Sequence, residues 1–411
     1  MDSSTALADQ VTIGARLQTL RLWRGMRQED LADLAGVKPS QISMWENGRR
    51  LLDRRRDITA LARALQVSET DLVGGPHLSA DPVQSDPHRA IGPIRTALQT
   101  NTLTSPASDR ARPLDAVCAD VTGRIEHLRR TSDLAGAGHL LPDAIDELYV
   151  HLAAPQDEAA YRTAAGALTE ACVIASAVTK ETGYIDLASL AAQRAEEAAV
   201  LSASPVMKGK ADFMWLMTLP RSAWDRNLAA AEQAVAALEP HAKDSEGLQV
   251  LGMLTLCAGL SAAVVQRGDA AADWLAAAKE IGSRVPDDPG RNWQSFSATN
   301  VAIWTLSIAV ERGEGGGTVR RLAGAVDLDR VGPIASRRAG YWMDAGRGFA
   351  RDAKTRNEAV RCLRRAEDAA PQRVRNSGSV RDTVAYLMHQ ALQEAGGREL
   401  RGMASRMGVQ P

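Results

Sequence analysis

The sequence predicts an all-α protein, in which a small N-terminal bundle of five helices is followed by a long, curved stack of helix pairs. Three observations carry that prediction. Hydrophobic residues make up 45% of the 411 residues, yet aromatics only 4%, and alanine dominates, a composition that favours helices over sheets. Apolar residues recur at helical spacing almost throughout. Similar helix pairs also recur through the second half, separated by turns. At this length two or three domains are expected: residues 11–73, a Pro-rich linker over 74–113, and a repeat domain over 114–411.

The first element is an amphipathic helix carrying Ile13, Leu17 and Leu20. After it, Gln28 to Asn47, QEDLADLAGVKPSQISMWEN, has the pattern of a helix-turn-helix. Two short helices that cross steeply need a small residue at the crossing, a residue free to take positive φ in the turn, and apolar residues that pin the second helix. Ala32, Gly36, Val37, Ile42 and Trp45 fill those places, with Leu31 and Leu34 on the inner face of the first helix. Ser40, Ser43, Met44 and Asn47 fall on the opposite side of the second helix from Ile42 and Trp45. That outward face is the one a DNA major groove would meet. Charge agrees, since Thr12 to Leu65 holds eleven lysines and arginines against six acids on a chain whose net charge is −1. DITALARALQV and SETDLV then continue the helical period and complete the bundle.

This stretch resembles the phage-repressor (XRE-type) DNA-binding domain, through Gln28, Ala32, Gly36, Ile42 and the run Glu46-Asn47-Gly48. The resemblance implies residue roles. Gln28 would meet a phosphate at a helix N-terminus, and Arg21 and Glu46 would form an ion pair tying the first helix to the recognition helix. Pro39 suits the first turn of that helix. Ser40, Ser43 and Met44 fall at base-facing positions, with Lys38, Asn47, Arg49 and Arg50 facing the backbone. Serine and methionine cannot make the bidentate bonds that arginine or glutamine makes to purines, so specificity is expected to lean on thymine methyls, water and DNA shape.

From Gly74 to Pro113 the texture changes. Prolines at 76, 82, 87, 93, 106 and 113 predict a tether that buries little surface, with a brief helix at IRTALQ. No apolar run reads as a membrane span, and MDSSTALADQ lacks the basic flank of a leader, so a cytoplasmic protein is expected. Cys118, Cys172, Cys257 and Cys362 lie far apart without metal spacing and read as buried thiols. Gly315-Gly316-Gly317 reads as a hinge, having no strand before it and no Lys/Ser/Thr pair behind. No metal, no cofactor and no catalytic motif is expected.

Beyond Leu114, helix pairs turn near Gly183, Arg221, Gly268, Gly313, Lys354 and Gly396. Alanines cluster after each turn, where small side chains let paired helices approach closely. The pattern resembles a degenerate tetratricopeptide array, with NEAVRCLRRAEDAAP at Asn357 to Pro371 as its best match. Such stacks present a concave face suited to peptides or helices. Polar or aromatic residues on first helices of pairs are the candidates to line it: Trp215, Asn300, Trp304, Arg338, Tyr341, Trp342 and Asp344.

An XRE-type reader followed by such an array resembles the peptide-responsive, quorum-sensing regulators of Gram-positive bacteria. That resemblance implies a homodimer on a palindromic double-stranded DNA operator, with a peptide or small-molecule signal in the repeat domain. The alternative is a repeat domain that docks a protein partner or only dimerises.

Overall fold

The computed structural model describes residues 12–76, 81–103, 105–219, 223–332, 334–391 and 397–409. The turns placed near Arg221 and Gly396, the start at Val11 and the MDSSTALADQ segment lie outside the described residues. The described chain is all-α, and its only β pairing is an isolated bridge between Thr102 and Ser105.

Five helices form the N-terminal bundle: α1 (Ile13–Trp23), α2 (Gln28–Ala35), α3 (Pro39–Glu46), α4 (Arg55–Leu65) and α5 (Glu69–Val73). Leu17, Leu31, Ile42, Leu61, Leu65 and Leu72 are fully buried at its centre, so the 3.6-residue period locates the core. Leu34 is a correction. The apolar pattern places it on the inner face of α2, yet it is 63% exposed. The buried stripe runs through Leu31, Ala32 and the half-buried Ala35, and Leu34 sits beyond its edge.

The expectation of a tether that buries little does not hold for the segment that follows. Pro82–Ser85 (α6), a 3₁₀ turn over Asp86–Ala90 and Ile91–Thr100 (α7) lie against the body of the protein, with Ile94 and Leu98 buried in its core. The prolines are compatible with this because Pro82 and Pro87 open short helices and Pro93 is the third residue of α7. These are positions where a missing N–H costs no intrahelical bond.

After α8 (Leu114–Ala119), a π-helical turn, α9 (Glu126–Arg130) and α10 (Leu134–Ala153), six helix hairpins follow. They are α11 (Glu158–Glu181) with α12 (Ile185–Ser202), α13 (Pro205–Thr218) with α14 (Trp224–Leu238), and α15 (Ser245–Val264) with α16 (Gly268–Ser283). Then come α17 (Ala298–Arg312) with α18 (Gly316–Gly324), α20 (Ala335–Ala350) with α21 (Arg356–Ala369), and α23 (Gly378–Ala391) with α24 (Arg398–Arg406); α19 (Leu328–Val331) and α22 (Pro371–Arg375) are short connectors. Within each pair the helices pack on each other, and the first helix of each pair packs on the first helix of the next. That is the geometry of an α-solenoid. Acceptor side chains start several of these first helices: Asp157, Ser204, Asp244 and Ser297 each cap α11, α13, α15 and α17 through a backbone N–H three residues on. In α12 the alanines at 188, 191, 192, 195, 198 and 199 are buried against the neighbouring helices, which explains their clustering after the turn.

Helix α15 corrects the reading of apolar runs. Ser245–Val264 is long and apolar enough to cross a membrane, but the whole apolar window is buried inside the stack, so it is accounted for as the solenoid's central helix. Cys172, Cys257 and Cys362 are buried and Cys118 is half-buried. Burial pushes the Cys172 and Cys257 thiols up to about 12 and Cys362 up to about 11.

The stack curls until its last third meets the segment that precedes it. Gln372 accepts from the Ala135 N–H at 3.1 Å, Arg375 pairs with Asp81 at 3.0 Å, and Asn376 bonds both His88 and the Gln84 carbonyl. Arg373 also reaches Glu181, at the end of α11, at 3.5 Å. These contacts tie α22 to residues 81–135 and to the end of α11.

Candidate nucleic-acid interface

Local sequence sets the geometry of the reader. Gly36 ends α2 at φ 67°, ψ 35°, a left-handed conformation that glycine enters without Cβ strain, and this turns the chain into α3. Gly14 on α1, which the sequence pattern did not single out, lets α1 touch α3. A Cβ there would sit 2.1 Å from the Trp45 carbonyl oxygen.

Arg21 and Glu46 meet in a buried, two-pronged pair: Arg21 Nε donates to Glu46 Oε1 at 2.6 Å and Nη2 to Oε2 at 2.9 Å. A third donor of Arg21 reaches the Met26 carbonyl at 2.7 Å. Gln28 joins them, its Nε2 donating to Glu46 Oε2 at 2.7 Å. Its side-chain nitrogen is therefore held within the protein, although the residue still lines a groove with Arg21, Arg27, Glu29, Pro39, Ser40 and Ser43. The N-termini of α2 and α3 both open onto that groove, and their dipoles favour an anion there.

On the outward face Lys38, Pro39, Ser40, Asn47 and Arg49 are exposed, and Ser43, Met44 and Arg50 are partly so. Asn47 is engaged locally, donating to the Ser43 carbonyl at 2.9 Å and capping the end of α3. The Met44 carbonyl accepts from the N–H groups of both Arg49 and Arg50, which holds these two arginines beside the recognition helix. Lys38, Arg49 and Arg50 carry no ion pair among the described residues, so their charge is available to a polyanion.

Part of the basic excess has another destination. Asp53, Arg54 and Arg55 face the body of the protein rather than the outward face. Arg55 pairs with Glu311 of α17 at 2.9 Å, and Asp53 receives Arg347 of α20 and, at 2.6 Å, Arg351 at the end of that helix. Arg347 also holds Glu311 at 2.9 Å. Around Glu311 the two arginines outweigh burial and hold its carboxyl down to about 2. At the other end of the contact, the Ile13 N–H donates to Asp382 of α23 at 2.9 Å and Gln390 donates to the Gly48 carbonyl at 3.0 Å. Burial pushes Asp382 up to about 7. Leu51 completes the seam by packing into the core of the last three hairpins. The reader is thus seated on the solenoid with Lys38, Pro39 and Ser40 of the α3 start exposed, a contact that sequence reasoning missed because its partners lie hundreds of residues apart.

The residues expected to line the concave face divide. Tyr341 is buried in the core and donates to the Ala323 carbonyl at 2.9 Å, Trp342 packs edge-on to Tyr341 under Arg365, Trp215 packs against the core, and Arg338 reaches the Gly332 carbonyl at 3.3 Å. Asn300, Trp304 and Asp344 differ. Asn300 and Trp304 lie one turn apart on α17, and Asn300 Oδ1 and Trp304 Nε1 are both buried without a partner. Asp344 bonds Ser307, farther along the same face of α17, and Arg347 at 3.2 Å. Asn300 Nδ2 donates to the Gln294 carbonyl at 3.2 Å, and Trp304 is part of the apolar core.

A helix-turn-helix domain family model matches residues 12–73. Searches of curated proteins and of solved structures find no match. The matched domain supports a DNA-binding regulator of transcription rather than an enzyme.

Proposed function

We propose, starting from a DNA-binding helix-turn-helix regulator, that residues 12–73 read an operator through α3 while the solenoid senses a peptide or small signalling molecule and sets reader geometry in a homodimer. The observation that carries this is the seating of the reader: one face is buried against the stack, while Lys38, Ser40 and Arg49 stay exposed. Ser40, Ser43 and Met44 would face bases, Lys38, Arg49 and Arg50 phosphates, and the groove at Gln28 a phosphate between the two helix N-termini. The resemblance to tetratricopeptide-containing XRE-type regulators supports the sensing half.

A ligand changes DNA affinity only by binding one arrangement of the readers more tightly than another. A solenoid suits that task, because small rotations at each hairpin add along the stack. In a two-fold dimer the recognition helices would lie about one DNA turn apart, so the operator would be an imperfect palindrome. Gel shift against genomic fragments tests the reading. Salt-sensitive binding that weakens sharply when one half-site is deleted is expected, and equal binding to an isolated half-site refutes the dimer.

A further inference from the structure

Around the Arg373–Glu181 pair, where α22 meets the end of α11, basic side chains outnumber the acids that pair with them. Glu181 is taken by Arg373, Glu311 by Arg55 and Arg347, and Asp344 by Arg347 and Ser307. Lys180, in the last turn of α11, and Arg337, in the first turn of α20, have no hydrogen-bonded or ionic partner among the described residues. Both lie within electrostatic reach of the same Arg373–Glu181 pair. The guanidinium groups of Arg337 and Arg373 converge over Gly340, at 3.1 and 3.7 Å from where its Cβ would be. Arg55 adds to the field on the other side, its guanidinium 5.9 Å from the centre of the Trp224 ring.

The surplus costs stability as it stands. Burial among like charges pushes Lys180 down to about 8 and Arg337 down to about 10. Arg337 is also placed at the positive end of the α20 dipole, where a cation is disfavoured and an anion favoured. Its Nε is buried with no acceptor, and so are the indole N–H groups of Trp224 and Trp304. Buried donors almost always have partners, so the unpaired Arg337 Nε on a guanidinium without an ionic partner points to an absent acceptor. Lys180, Arg337 and Trp224 each keep partial solvent exposure, which leaves a way in.

We propose that this surface binds an oxyanion, the carboxylate or phosphate of a small ligand, held by the Arg337 guanidinium where it converges with Arg373, with Lys180 adding positive charge nearby. The inference rests on the sensing role proposed above and gives its ligand a chemical class. The charges that would meet the anion come from α11, α20 and α22, and from Arg55 of the reader itself.

The test uses the full chain. Melting temperature and tryptophan fluorescence are followed during titration with sodium pyrophosphate, and separately with trialanine as free acid and as C-terminal amide, each against sodium chloride at matched ionic strength. The variants are Lys180→Met, Arg337→Leu and the double Arg49→Ala/Arg50→Ala, which disables the anion-binding face of the reader. Lys180→Met removes an unpaired buried charge and is expected to fold at least as stably as the parent. A saturable response to pyrophosphate or to the free acid is expected in the parent and in the reader variant. It should weaken about tenfold or more in each interior variant. A response to pyrophosphate alone assigns a phosphate, and a response to the free acid but not the amide assigns a carboxylate. The proposal is overturned if chloride does as well, if the interior variants keep parental affinity, or if the reader variant alone loses the response. If a neutral fraction of spent medium stabilises the protein while the anions do not, the anion assignment fails and sensing stands; if nothing stabilises it, both fail.

Discussion

Replacing Glu311 with glutamine tests whether the reader is held by the charges at its seam. The carboxylate is 2% exposed and accepts from Arg55 Nη1 and Arg347 Nη2, each at 2.9 Å, and from the Arg55 backbone N–H at 3.2 Å. Glutamine preserves the shape and one acceptor but deletes the charge opposite two arginines. Removing one partner of a buried ion pair costs ~3–5 kcal/mol. The lower end is expected here. Arg347 keeps Asp344 at 3.2 Å and Asp53 at 3.5 Å, and Arg55, 27% exposed, can recover water. About 3 kcal/mol is roughly a hundredfold in the equilibrium for seating the reader, and a sizeable share of the ~5–15 kcal/mol that holds a domain together.

Two assays read that loss. Amide exchange at the start of α4 should accelerate by about that factor, and urea unfolding should split, with the reader released before the stack. The pH dependence follows from the sign of the shift. Glu311 is held below its ordinary 4.5, so its contribution is complete above 4.5 and is lost as pH falls through about 2. The variant should therefore show a shallower acid limb. Unchanged exchange, together with an unchanged urea midpoint, would refute the reasoning and show that the desolvation of these charges cancels their attraction.

Two further substitutions address the reader itself. Glu46→Ala strands Arg21, whose side chain is 9% exposed, and should lower the reader's stability by ~3–5 kcal/mol before it alters recognition; a melting curve indistinguishable from the parent would contradict this. Arg49→Ala and Arg50→Ala should weaken binding to all DNA sequences alike and each reduce the slope of log affinity against log salt by about 0.9, measured by fluorescence anisotropy.

The parts legible in the sequence are those fixed by near neighbours. The reader's core, the Gly36 turn and the hairpin boundaries follow from apolar period, turn residues and caps acting within some twenty residues. The Pro-rich stretch looks like a tether in sequence, but proline counts against a helix only in its interior. Pro82 and Pro87 stand at helix starts, and Ile91, Ile94 and Leu98 carry an apolar face that the prolines distracted from. Leu34 shows the opposite failure, an apolar residue in register with a pattern but just outside the buried arc. Among the inner-face candidates, Trp304 is a member of the apolar core, which helical spacing alone does not separate from a lining position. Lys180 and Arg337 stand at helix ends, where a charge looks solvated until the stack packs around it.

Arg55 belongs to both the seam and the interior, and this suggests how one could govern the other. It pairs with Glu311 to seat the reader, and it also lies over Trp224 within reach of Lys180, which adds positive charge near the proposed anion. An anion there would draw on the same guanidinium. Its binding free energy would then differ between seated and displaced readers, which is the condition for coupling. A tenfold change in DNA affinity requires only about 1.4 kcal/mol of such difference, less than one charge-assisted hydrogen bond supplies. Arg55→Met should therefore leave anion binding largely intact, because Lys180 and Arg337 remain, while abolishing the anion's effect on operator affinity. If the effect of the anion on operator binding persists in this variant, coupling runs through the hairpins and not through this side chain.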